Sequence, residues 1–243
     1  AVQSPYSDYN EFVTAESFIL EPGDPSNGGF YAGQINDGGT IYNLIVSPVV
    51  FDTLEGQYGG STPAGIQYKT TTSASVDATS VSFGATAMLA NANADHPMFD
   101  WCVNSTTGPN AGTYDATNAS GTGIGGFNDW YTPASNESGI LYYFLKPTTE
   151  ANTTDYVSGY NVNSVAPYEP GALFSSVAPV QCAAPIFQSG GAEAFSLSYW
   201  TTTEPTGPGT TQNNAYIRFF GNGLLNDGQK TQQDNRYARV IRR

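Results

Sequence analysis

The sequence predicts an α+β fold: an early β-hairpin, two helices in the middle, long irregular loops and a β-meander at the end. Three observations predict it. Two β-branched and aromatic runs flank a Gly-rich turn between residues 29 and 46, which is hairpin chemistry. The stretches 84–103 and 132–146 carry apolar residues at spacings of three and four. Strand-like runs separated by glycine-rich turns follow residue 195. Strands and helices in separate blocks, rather than in βαβ alternation, predict a twisted antiparallel sheet with two helices. Early and late strands are expected to share that sheet.

Residues 1–27 mix isolated apolar residues with acids, show no clean period, and end in Glu21-Pro22-Gly23-Asp24-Pro25. They read as an edge strand or as an arm that docks on a partner. In the hairpin, Gly29–Ile35 and Ile41–Val46 flank Asn36-Asp37-Gly38-Gly39-Thr40, and Pro48 ends the second strand. Residues 52–82 are rich in Thr, Ser and Gly and read as loops with short strands. Over 84–103, Ala87, Met88, Ala92, Phe99, Cys102 and Val103 share a helix face, which Pro97 must kink or split. His96 lies near that face and reads as a structural residue. In the second helix Thr132-Pro133 supplies a cap and a first-turn proline, Ile140, Leu141, Phe144 and Leu145 form the stripe, and Pro147 stops it. Residues 148–192 read as long loops, and a stretch of that length is usually functional surface. Phe195–Trp200, Ala215–Phe220 and Tyr237–Ile241 are the late strands, with turns at Gly221-Asn222-Gly223 and Asn226-Asp227-Gly228.

Composition narrows the function. A chain of 243 residues allows one or two domains and a substantial core. With 16 Tyr, 13 Phe and 3 Trp it is too aromatic to be disordered. A net charge of −13 argues against nucleic-acid binding, which relies on attraction to phosphates. No apolar run approaches the length of a membrane span, and no signal peptide is expected at Ala1-Val2-Gln3-Ser4. Cys102 and Cys182 form one bridge or stay as two buried thiols; the core needs no staple, which favours the thiols. A single His and no CxxC leave no zinc site of the usual ligands, and no metal or other cofactor is expected. Six of the eight basic residues lie in 218–243, giving that segment a net +4 against −17 for the rest. It reads either as a basic tail for an acidic partner or, preferably, as strands pairing with acidic strands of their own domain.

Gly126-Phe127-Asn128-Asp129-Trp130-Tyr131-Thr132-Pro133 followed by Asn136-Glu137 resembles the signature of the Lcl C-terminal domain-like family, of the C-type-lectin fold. Trp200-Thr201-Thr202-Thr203-Glu204 resembles the family's Trp-Ser-Ser-Thr-Glu block. Ala215–Phe219 with Gly221, and Arg239-Val240-Ile241-Arg242, resemble its closing strands. The Gly29–Pro48 hairpin and the Gln188–Ala194 segment resemble phage members in particular. Ser138 stands where the family usually has Leu. The resemblance covers about residues 28–243 and implies a C-type-lectin-like domain behind the segment 1–27. It further implies a phage virion protein on the particle surface, a homo-oligomer bound to capsid or tail proteins. Its expected role is in a tail fibre or spike, attaching to a host surface glycan or protein. A second reading is a capsid decoration, cement or head-fibre protein; a third is a bacterial surface adhesin.

The motif residues Gly126, Asp129, Trp130, Pro133, Glu137, Trp200, Glu204, Arg239 and Arg242 are better explained as scaffold than as an active site. Trp130 anchors a core, Asp129 suits turn amides or an Arg of the last strands, and Glu137 suits a helix start. A Glu137–Glu204 pair would serve glycoside hydrolysis only across a sugar cleft, and nothing in the spacing shows one. No Gly-x-Ser-x-Gly elbow is present, and Gly121–Gly126 lacks the Lys-Ser/Thr of a phosphate loop, so it reads as flexible loop. Glu204-Pro205-Thr206 is an incomplete version of the lectin calcium loop, so no calcium-dependent sugar site is expected. The chain is therefore expected not to be an enzyme. Tyr156, Tyr160, Asn161, Asn163 and Tyr168 lie in one Tyr/Asn-rich loop and are the candidate binding surface, since tyrosine supplies rigid contact area and small polar residues adaptable hydrogen bonds.

Overall fold

A computed structural model describes residues 20–51, 65–71, 80, 83–117, 121–153, 178–196, 198–206, 213–232 and 235–243. Strand β1 (Pro25–Ser26) turns through Asn27-Gly28 into β2 (Gly29–Asp37), and Gly38-Gly39 leads into β3 (Thr40–Val46). Both residues of each two-residue turn have positive φ, the geometry that matches the twist of a hairpin. The last strand of the chain, β8 (Ile241–Arg242), adds to β3, giving the antiparallel order β1-β2-β3-β8. Early and late strands thus share a sheet, and residues 25–26 form its edge strand. Residues 1–19 lie outside the described part.

Among the described residues, the single sheet expected from the sequence is two. Strands β4 (Ser198–Trp200), β5 (Asn214–Phe219), β6 (Leu225–Gln229) and β7 (Arg236–Tyr237) form a second sheet of order β6-β5-β4-β7, parallel only at β4–β7. The run Tyr237–Ile241, read as one strand, is split between the sheets. Three residues, Ala238–Val240, carry the chain from β7 across to β8. The expected turn at Asn226-Asp227-Gly228 is also corrected: it is the middle of β6. Asp227 lies opposite Tyr216 and accepts a 2.7 Å hydrogen bond from the Asn214 amide. Pairing along β5 overrides the poor strand propensity of Asn, Asp and Gly. The reversal between β5 and β6 is the other glycine turn, closed by Gly223 N–H donating to the Phe219 carbonyl at 2.8 Å.

The stretch 84–103 is split, giving α1 (Gly84–Asn91) and α2 (Pro97–Val103), with Pro97 in the first turn of α2 where its missing N–H costs nothing. His96 caps the break, buried and stacked on Phe99. The next helix, α3 (Ser135–Leu145), starts later than the sequence suggested. Thr132-Pro133 is extended chain, its Pro133 carbonyl accepting Thr202 N–H at 2.9 Å. Capping falls instead to Glu137, whose Oε2 accepts the Ala134 N–H at 2.8 Å. Three α-helices therefore replace the expected two among the described residues.

A bulge in β2 between Tyr31 and Gln34 seats α3 on the first sheet. Gly33 has φ +105, and a β-carbon there would stand 2.4 Å from the Phe144 ring. One continuous core runs through both sheets and all three helices. It includes Ile45, Val46, Met88, Phe99, Trp101, Trp130, Leu141, Trp200, Ile217 and Ile241. Cys102 and Cys182 are free and buried within it.

Candidate functional site

The motif residues converge on the C-terminal segment. Asp129 accepts two hydrogen bonds from Arg242, Nε to Oδ1 at 2.7 Å and Nη2 to Oδ2 at 2.9 Å, and the guanidinium lies 3.8 Å from the Phe127 ring centre. The turn before it depends on glycine: Gly125 and Gly126 have positive φ, and a β-carbon on Gly125 would meet the Gly28 Cα at 2.3 Å. Gly121–Gly126 is thus a packed turn. The Ile124 carbonyl within it accepts the Trp130 indole N–H at 3.1 Å. Asn110, which carried no sequence signal, is fully buried. It accepts the Trp130 N–H and donates to the Trp130 and Cys102 carbonyls.

Glu137 is fully buried and surrounded by donors. Tyr131 OH lies 2.6 Å from Oε1, Arg243 Nη2 3.0 Å from the same oxygen, and the Ala134 and Gly84 amides at 2.8 and 3.1 Å from Oε2. Burial raises the carboxyl above its ordinary value, opposed by Arg243, the Tyr131 hydroxyl and the two amides. Burial and the neighbouring Glu137 hold the Tyr131 hydroxyl well above the usual tyrosine range. Arg243 also reaches Asp37 at 2.9 Å and lies over the rings of Tyr42 and Phe83.

Glu204 is paired with Lys230 at 2.7 Å in a site closed to solvent. Arg239 donates to the Ser47 and Glu193 carbonyls and to the Glu193 carboxylate at 2.7 Å, under Phe195. Trp200 is buried and donates its indole N–H to the Ile66 carbonyl at 2.7 Å. Pro133 serves through its carbonyl, as above. The basic C-terminal residues are therefore consumed inside the domain. Their acidic partners come mostly from α3 and loops rather than from acidic strands. Glu137 and Glu204, weighed above as an acid pair, each neutralise a buried cation, which is structural chemistry. Among the described residues, no group of three or more His, Cys, Asp and Glu is placed to hold a metal, and no helix is long and apolar enough to cross a membrane.

The candidate binding residues Tyr156, Tyr160, Asn161, Asn163 and Tyr168 lie outside the described residues. The foot of their segment is described. Lys146, at the C-terminal end of α3, is buried and donates to the Glu150 carbonyl, to Asn152 Oδ1 at 2.8 Å and to the Pro179 carbonyl at 3.4 Å. Tyr142 OH donates to the same Asn152 oxygen at 2.5 Å, and Asn152 Nδ2 donates to the Pro179 carbonyl at 2.9 Å. Burial lowers the Lys146 ammonium and raises the Tyr142 hydroxyl relative to their ordinary values. Sequence reasoning missed this clamp, because a Lys, an Asn and a Tyr at such spacings form no motif. Comparison of the chain with protein-family models, with curated proteins and with solved structures finds no match.

Proposed function

We propose that this protein is a non-enzymatic virion surface protein of a phage, with a C-type-lectin-like domain that displays a recognition loop for host attachment in a tail fibre or spike. The observation that carries the reading is the clamp at the foot of residues 154–177. That 24-residue segment leaves at Thr153 and returns at Ala178, beside two residues, Asn152 and Pro179, that are bonded to each other and to Lys146. A rigid scaffold holding the two ends of a Tyr/Asn-rich segment together is the usual construction of a recognition surface. The lectin-like resemblance agrees with the buried motif residues, whose charges are all spent on the scaffold. Other capsid or tail proteins and further copies of the chain are the proposed partners on the particle, and a host glycan or protein is the proposed receptor.

The test replaces residues 156–175 with a short Gly/Ser linker in the phage. The reading expects an unchanged melting temperature of the purified protein, normal particles and lost adsorption to the host. Unchanged adsorption overturns it. Labelled antibody against the protein is expected at the tail tip; label over the shell moves the protein to the decoration class.

A further inference from the structure

The clamp has a second property, independent of what the loop recognises. Lys146 is 2% exposed, and its hydrogen bonds all go to neutral oxygens, with no carboxylate among them. One of those oxygens belongs to a side-chain amide. That amide carbonyl also receives the Tyr142 hydroxyl at 2.5 Å, so two donors polarise it. A buried amine held against an amide whose carbonyl a neighbouring hydroxyl polarises is the arrangement of acyl transfer.

We infer that Lys146 and Asn152 condense spontaneously into an intramolecular isopeptide bond. The lysine Nζ, once deprotonated, attacks the Asn152 Cγ. Negative charge then develops on Oδ1, where the Tyr142 hydroxyl already donates. The Cγ–Nδ2 bond breaks, and Nδ2 leaves as ammonia after taking a proton. Overall a lysine ammonium and a primary amide give a secondary amide and an ammonium ion, so the step needs no oxidant, metal or cofactor. Burial favours the neutral amine that the attack requires, opposed by the charge of the nearby Glu150, which favours the ammonium. An opening of about 460 Å³ lined by Lys146, Glu150, Pro179 and Gln181 gives the ammonia a way out. Solvent at that opening accepts the proton that Nζ gives up and supplies the one that the leaving nitrogen takes. The product is a covalent ring over residues 146–152, fixing the end of α3 to the residue two before the segment 154–177.

Intact mass of the purified, denatured full chain tests this directly. After incubation of the folded protein the mass is expected to be lower than the sequence mass by one ammonia, with fragmentation placing the loss between residues 146 and 152. Lys146→Arg and Asn152→Ala are each expected to abolish the loss, and Tyr142→Phe to slow its accumulation at least tenfold. A wild-type chain that keeps its full sequence mass after prolonged incubation overturns the inference and leaves Lys146 a hydrogen-bonded cation. Loss of ammonia that persists in Lys146→Arg overturns it equally, because the reaction then lies elsewhere. The first outcome does not depend on any variant folding, since the wild-type mass decides it.

Discussion

Glu137 gives the sharpest test of the buried charge cluster. Replacing it with Gln keeps the volume and removes the charge. Arg243 then loses its fully buried partner, while Asp37, which is partly open to solvent, stays in place. Breaking a buried pair costs about 3–5 kcal/mol because a charge is left uncompensated. A second loss follows from geometry. Four donors face the Glu137 carboxylate: the Tyr131 hydroxyl, the Arg243 guanidinium and the Ala134 and Gly84 amides. Glutamine offers one oxygen and turns an NH₂ toward the others, so at least one buried donor goes unpaired, at about 1–3 kcal/mol. Asp37 recovers part of the first term and the two losses overlap, so the total is expected at about 3–5 kcal/mol. In a domain of this size that is roughly 6–20 °C in melting temperature. Urea unfolding of Glu137→Gln, Arg243→Met and the double variant measures it. The double variant should be less destabilised than the sum of the singles by at least about 1 kcal/mol, since it removes both charges. A Glu137→Gln chain within about 1 kcal/mol of wild type refutes the reasoning, because the cluster would then hold nothing together.

Three further outcomes are expected. Trp130→Ala and Trp200→Ala each remove a fully buried indole that also donates to a backbone carbonyl, and each should cost roughly 3–5 kcal/mol in thermal melts; wild-type stability for both would remove them from the core. Burial raises the Tyr131 and Tyr142 hydroxyls above their ordinary value, so above about pH 10 the unfolded chain releases these protons first and stability falls as pH rises; phenolate absorbance appearing for all tyrosines at the ordinary pH, before unfolding, would contradict this. Deleting residues 1–19 leaves the β1–β2 turn and the Gly23–Tyr31 hydrogen bond intact, so the melting temperature should stay unchanged, and on the virion reading proposed above incorporation into particles is lost; a truncated chain that fails to fold makes that segment part of the domain.

Much of the local structure was legible in the residues themselves. Asn36-Asp37-Gly38-Gly39-Thr40 announces a hairpin, because only glycine enters positive φ without strain, and the hairpin is there. Pro97 divides its helix because a proline inside one forfeits a hydrogen bond. The bulk of Trp130 and Trp200 marks them for the core, and both are buried. An Arg of the last strands was a natural partner for Asp129. In a chain with eight basic residues, six of them near one end, few others were available.

What the tertiary structure alone decided are the choices made between distant segments. Asn226-Asp227-Gly228 has the composition of a turn, yet β5 offers it a complete row of hydrogen bonds and it becomes a strand. Tyr237 and Ile241 are four residues apart and belong to different sheets, because β4 and β3 each leave an edge within reach of the chain between them. Thr132 has the chemistry of a helix cap, and Glu137 takes the part because the Pro133 carbonyl is already held by Thr202. Lys146, Asn152 and Tyr142 meet only because α3 ends where the chain returns at Pro179. Propensity acts over one or two turns of backbone, and so a single sequence displays it. The partner that satisfies a buried charge or a strand edge is set by topology, which no local pattern encodes.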